Sequence, residues 1–120
     1  MKYKVVVEIT EKFDNIERCL SKQDKKDISS SLNSLVQSIR EDGWSKKLYR
    51  RKGLIYPSTV TKKDSSLYMY KANNKHQVVL SVDNDPFFKQ KIVTLYDIAD
   101  TKNISNAFNQ VASIIYNYGE

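Results

Sequence analysis

A chain of 120 residues that is 40 % hydrophobic, with one cysteine and a net charge of +6, has material for one small core. The lone Cys19 excludes an intramolecular disulfide framework, and no stretch approaches the ~20 apolar residues of a membrane span. Two prolines and three glycines argue against a linker or low-complexity tail, so a single domain over residues 1–120 in a reducing, cytoplasmic setting is expected.

The opening "MKYKVVVEIT" is interrupted by Glu8 and Thr10, which makes it too short an apolar run for a signal peptide. It reads as a strand from Tyr3 to Thr10, with Tyr3, Val5, Val7 and Ile9 on one face. The period then changes. Phe13, Ile16 and Leu20 predict a short helix, and Cys19 beside that stripe is expected to be partly buried. After the polar "SKQDKKD", in which Asp24 is a candidate cap, Ile28, Leu32, Leu35 and Ile39 form one apolar stripe of a second helix, ended by Gly43.

Residues 43–61 are less regular. "WSKKLYRRKGLIYPSTV" reads as a basic helical turn or a loop, with an edge strand from Ile55 to Lys62. Three strands follow: Ser66–Ala72, Gln77–Asp83 and Gln90–Ile98. Asn73-Asn74 suits a tight hairpin turn because asparagine tolerates positive φ, and "DNDP" suits the second reversal. Asp83 and Asp85 there read as turn residues rather than a metal site. Ile104, Phe108, Val111, Ile115 and Tyr118 predict a last helix, with Thr101 or Asn103 as its cap. The fold class is α+β: an N-terminal strand and helical hairpin, a twisted antiparallel meander, and a C-terminal helix.

Charge is segregated along this order. Residues 1–42 carry eight basic and eight acidic side chains. Residues 43–77 carry nine basic against one acidic, and residues 78–120 carry three against five. A positive excess confined to the central third favours a polyanionic partner, most often nucleic acid; a solvated basic face is the plainer reading. The candidate contacts are Lys46, Lys47, Arg50, Arg51, Lys52, Lys62 and Lys63, with Tyr49 and Tyr56 placed to stack a base. His76, the single histidine, sits at the hairpin tip between Lys71, Lys75 and Gln77. Its ordinary pKa near 6.5 makes it the natural acid or base, although a turn histidine is commonly just a solvated side chain. No metal site or cofactor motif is evident.

Two stretches carry a resemblance. "FDNIERCLSKQDKKDISSSLNSLV", Phe13 to Val36, and the hairpin "LYMYKANNKHQVVLSV", Leu67 to Val82, resemble RelE/ParE-type toxins of bacterial toxin–antitoxin pairs. The likeness runs from Tyr3 to about Ala112, with residues 44–65 as extra length. It implies an antitoxin partner and one of two activities: RelE-like members cut mRNA in the ribosome without a metal, and ParE-like members poison gyrase. On the RelE-like reading His76, Lys71 and Lys75 are the catalytic candidates, and RNA or the ribosome is the partner. Family members place an arginine where the second meander strand begins; here that position falls on Gln77 or His76. After the last strand, Tyr96 and Lys102 suit the chemistry, whereas Asp97 and Asp100 are anions where a phosphate site wants cations. The alternative, from another class, is a non-enzymatic regulator of phage or plasmid origin that binds nucleic acid or protein through the same face.

Overall fold

The computed structural model describes residues 3–50 and 66–116. The elements are β1 Lys4–Ile9, α1 Glu11–Arg18, α2 Lys22–Asp42, β2 Leu67–Lys71, β3 His76–Asp85, β4 Gln90–Asp100 and α3 Ile104–Tyr116. The four strands form one sheet in the order β1-β4-β3-β2. The meander β2-β3-β4 is antiparallel as expected, and β1 joins it parallel to β4, so the whole sheet is mixed. The parallel pairing requires a crossover from β1 to β4, and α1 and α2 lie in it.

The helices begin and end where side chains satisfy the free backbone groups of helix termini. Thr10 caps α1 by accepting from Phe13 N. Ser21, not Asp24, caps α2: its Oγ accepts from Asp24 N at 3.1 Å. The serine stands at the non-helical position, whereas Asp24 is already inside the first turn, where its charge suits the helix dipole. Gly43 ends α2 in the left-handed conformation, with φ of 78°. Cys19 is exposed; α1 stops at Arg18, which leaves Cys19 in the link between the helices rather than on a packed face.

Both faces of the sheet carry a core. On one face Phe13 of α1 and Ile28, Leu32, Leu35 and Ile39 of α2 pack on Val78, Leu80, Val93 and Leu95. Side chains of this size contribute about 1.5–3 kcal/mol each when removed from water. On the other face Ile104, Phe108, Val111 and Ala112 of α3 pack on Leu67, Met69 and Val79; Tyr118 of the predicted stripe lies outside the described residues. β1 is less covered than its alternation suggests. Val5 is buried, but Val7 and Ile9 are 41 % and 56 % exposed, because β1 is the edge strand and the helices lie mainly over its neighbours.

Register departs from regularity once. A bulge between Val79 and Leu80 leaves Tyr96 as the extra residue on β4, and such insertions bend a strand locally. The second reversal comes later than "DNDP": β3 continues through Asp85, and residues 86–89 make the turn. Residues 43–50 are not helical beyond Gly43, and Tyr49 makes an isolated antiparallel bridge to Met69. The predicted edge strand over residues 55–62 lies outside the described residues.

Candidate functional site

His76 opens β3 at the end of the β2–β3 hairpin, and its position is set by one asparagine. Asn73 Oδ1 accepts from Lys75 N at 2.9 Å and from His76 N at 2.7 Å, the local turn for which a short amide side chain is suited. The expected positive φ at the Asn pair is therefore not used: among the described non-glycine residues only Lys89 has one. Backbone bonds from Ala72 N and Asn73 N to His76 O close the loop. Asn73 Nδ2 in turn donates to Asp24 Oδ1 at 3.3 Å, tying the hairpin tip to the start of α2.

The same Oδ1 lies 3.3 Å from His76 Nδ1. Two backbone N–H groups already define that oxygen as an acceptor, so the ring contact is a hydrogen bond when Nδ1 carries the proton. Neutral His76 then has Nε2 as a bare acceptor, directed away from its partner, and the half-buried ring keeps an open side. That is the form a general base requires. Lys71 and Lys75 are both exposed close by in the chain, and Lys71 lies across the ladder from Gln77.

Gln77, the alternative position for the family arginine, points elsewhere. It is 4 % exposed, its Nε2 reaches Thr101 Oγ1 at 3.4 Å, and its Oε1 has no hydrogen-bond partner among the described residues. Of the two candidates, His76 is the one open to solvent. The strand expected to end at Ile98 runs on to Asp100, so Asp97 and Asp100 are anions within β4, and they are less obstructive than their charge suggests. Asp97 is buried, paired with Lys12 Nζ at 3.0 Å and bonded by Ile98 N. Asp100, opposite His76 in the ladder, accepts from Asn103 N and Nδ2, both at 2.9 Å. Tyr96 packs against the α3 core, while Lys102 is exposed.

Among the described residues of the central basic stretch, Lys46, Lys47 and Arg50 do not gather around His76. α2 starts beside Asn73 and ends beside β1, where Tyr3 N donates to Arg40 O; its 21 residues span about 30 Å. Lys46 and Lys47 follow that far end and are exposed. Arg50 is engaged inside the protein: its Nε donates to Leu67 O at 3.0 Å and its guanidinium lies 4.1 Å over the Tyr68 ring, which Trp44 meets edge-on. Tyr49 is part of the α3 core rather than a free stacking platform. Arg51, Lys52, Lys62 and Lys63, and Tyr56 with them, lie outside the described residues. Sequence reasoning missed Asn73 as the residue that orients His76. The signal available was an Asn three positions before the His in a turn, the spacing at which an Asn side chain reaches forward to the backbone.

No protein-family model and no curated protein matches the chain. Among solved structures it is similar to a YoeB/ParE toxin from Agrobacterium tumefaciens, at 10 % identity over 78 % of this chain and 96 % of that one, with a TM-score of 0.52. It is similar to the YoeB dimer from Staphylococcus aureus at 15 % identity over 82 % and 97 %, with a TM-score of 0.51. An archaeal RelE–RelB complex from Pyrococcus horikoshii also matches, at 16 % identity over 83 % and 96 %, with a TM-score of 0.49. The chain therefore has the RelE/ParE-type toxin fold, with 10 % and 15 % of residues identical to the two YoeB structures. Among the described residues no helix is long and apolar enough to cross a membrane.

Proposed function

We propose that this protein is a toxin-type ribonuclease that acts on mRNA at the ribosome, with His76 as its acid–base group. The observation that carries the reading is the held imidazole: Asn73 Oδ1, an acceptor beside Nδ1, favours the Nδ1–H form, which leaves Nε2 as the acceptor at a hairpin end flanked by lysines. The toxin fold supports it.

RNA supplies its own nucleophile. His76 Nε2 removes the 2′-OH proton; the 2′ oxygen attacks the adjacent phosphorus, and the bond to the 5′ oxygen breaks. The products are a 2′,3′-cyclic phosphate and a 5′-hydroxyl. The departing oxygen takes a proton from water or from a protonated side chain. Lys71 and Lys75 stabilise the charge that builds on the phosphate oxygens. No step needs a metal or an organic cofactor. The partners on this reading are the ribosome with its mRNA and an antitoxin protein, and the compartment is the cytoplasm.

A second reading, a non-enzymatic regulator that binds a protein, is favoured by one observation. Val7, Ile9, Phe13, Leu32 and Val36 line an apolar groove of about 290 Å³ between β1 and the helices. Exposed apolar surface of this kind is what an apolar segment of a partner would cover.

Induced expression separates the two. The ribonuclease reading expects growth arrest that His76→Ala abolishes while ribosome binding persists, since a positioned acid–base group contributes roughly 10²–10⁴-fold. Absence of toxicity in the native protein favours the regulator, and toxicity that survives His76→Ala moves the chemistry elsewhere or to a gyrase-type target.

A further inference from the structure

The end of the sheet opposite His76 carries side chains that the proposed reaction does not use. In the β3–β4 turn Phe87 and Phe88 stand 91 % and 72 % exposed. They are presented by a built turn rather than a loose one. Asp85 Oδ1 accepts from Phe87 N at 3.0 Å and Phe88 N at 3.3 Å, and Oδ2 accepts from Gln90 Nε2 at 3.1 Å. The turn closes through Lys89 at φ of 52°, a left-handed conformation that glycine or asparagine adopts more easily. Lys89 is thus a cation at a position whose backbone suits glycine or asparagine better.

Beside the turn is a concavity of about 350 Å³ walled by Tyr3, Asn84, Asp85, Pro86, Lys89, Gln90 and Lys91, at the small end of the ~300–1,000 Å³ typical of small-molecule sites; the Asp85 carboxylate in that wall is taken up by the turn's own N–H groups and Gln90. Lys91 Nζ lies 5.4 Å from the Tyr3 ring centroid. Tyr3 itself rests on Gly43, where an added Cβ would meet the ring at 2.9 Å. Lys46 and Lys47 follow Gly43 in the chain and are exposed. Aromatic faces with ammonium groups and an amide between them fit a ligand that has both flat rings and negative charge.

We propose that this end of the sheet is a second contact for single-stranded RNA: Phe87 and Phe88 stack unpaired bases, and Lys89 and Lys91 hold the phosphates beside them. The inference rests on the RNA-binding reading above and adds a surface to it. β3 runs from His76 to Asp85, about 30 Å at strand rise, so one RNA strand bridging both sites must be several nucleotides long.

The test is a fluorescence-anisotropy titration with a labelled 16-nucleotide oligouridine, a length within the range that single-strand modules cover. Phe87→Ala/Phe88→Ala should weaken binding about tenfold or more without changing the melting temperature, because both rings are already in water. Lys89→Gly should weaken binding while raising the melting temperature, since it relieves the left-handed lysine. Unchanged affinity in the double variant overturns the proposal. So does a double variant that binds RNA normally but sediments differently, which would assign the rings to contact between copies of the chain. If the native protein binds no oligouridine and no ribosomes, the RNA-binding reading fails first and this surface with it. Lys71→Ala/Lys75→Ala weakening the same titration while the aromatic variant does not would leave that reading standing and remove only the second contact.

Discussion

Asn73→Ala tests how the hairpin holds its histidine. The change deletes the acceptor for Lys75 N, His76 N and His76 Nδ1, and the donor to Asp24. Asn73 is half-buried and Lys75 exposed, so water replaces part of what is lost. Each of these bonds then counts toward the low end of the ~0.5–1.5 kcal/mol net range, about 2 kcal/mol together. For a chain of this size that is a fall in melting temperature of about 8 °C. The more specific consequence is at the ring. Without Oδ1 nothing favours a proton on Nδ1, and the imidazole relaxes toward the Nε2–H form that water prefers. Thermal unfolding followed by circular dichroism reads the first effect, and nitrogen-correlated NMR of the imidazole reads the second. Asn73→Asp is the control: it keeps the acceptor, loses the Asp24 bond and should retain the Nδ1–H form. A variant Asn73→Ala with native melting and an unchanged tautomer would refute the claim that this side chain orients His76.

Two further expectations concern stability. Leu35→Ala, at a site only 2 % exposed beneath the sheet, should cost about 2–5 kcal/mol by emptying space the packed helices cannot close; a urea-unfolding midpoint within error of the native value would show that α2 does not pack as described. Tyr70 is held above its ordinary pKa by burial, opposed in part by its contact with the Ser31 side chain; its hydroxyl donates to Ser31 O at 2.8 Å, which also suits the neutral phenol. The neutral phenol is therefore favoured in the folded state, so its contribution is intact below the unfolded value of ~10 and is lost as pH rises from there through the folded value. Unfolding free energies measured between pH 8 and 11 should show less alkaline loss in Tyr70→Phe than in the native chain, and identical slopes would contradict the assignment.

What the sequence disclosed follows from which interactions are local. The α2 stripe and its Gly43 stop are legible because helix period and left-handed glycine act within a few residues. The three meander strands are legible for the same reason. That β1 joins the meander's sheet is legible too, but its partner and direction are not, since the parallel pairing with β4 joins Lys4 to Gln90 across most of the chain. The Lys12–Asp97 pair is equally hidden, and it turns an apparent obstacle to phosphate binding into a link between exposed Lys12 of α1 and buried Asp97 of β4. At the site, His76 was visible as the single histidine in a basic turn, whereas its tautomer depends on a rotamer of Asn73 that no periodicity encodes. The basic third was legible as charge but not as geometry: Lys46 and Lys47 end up a helix length from His76, and Arg50 turns inward onto Tyr68. Phe87 and Phe88 were passed over because the turn was placed at "DNDP", before β3 had ended.

The central claim is that His76 performs acid–base chemistry on ribosome-bound mRNA. Purified ribosomes programmed with a defined mRNA, incubated with the protein in a chelator, test it directly through the 5′ and 3′ ends of the fragments. The account predicts a cut leaving a 2′,3′-cyclic phosphate and a 5′-hydroxyl, with the rate reduced roughly 10²–10⁴-fold in His76→Ala and ribosome co-sedimentation retained. Intact mRNA with the native protein bound, or equal cleavage by His76→Ala, would contradict it.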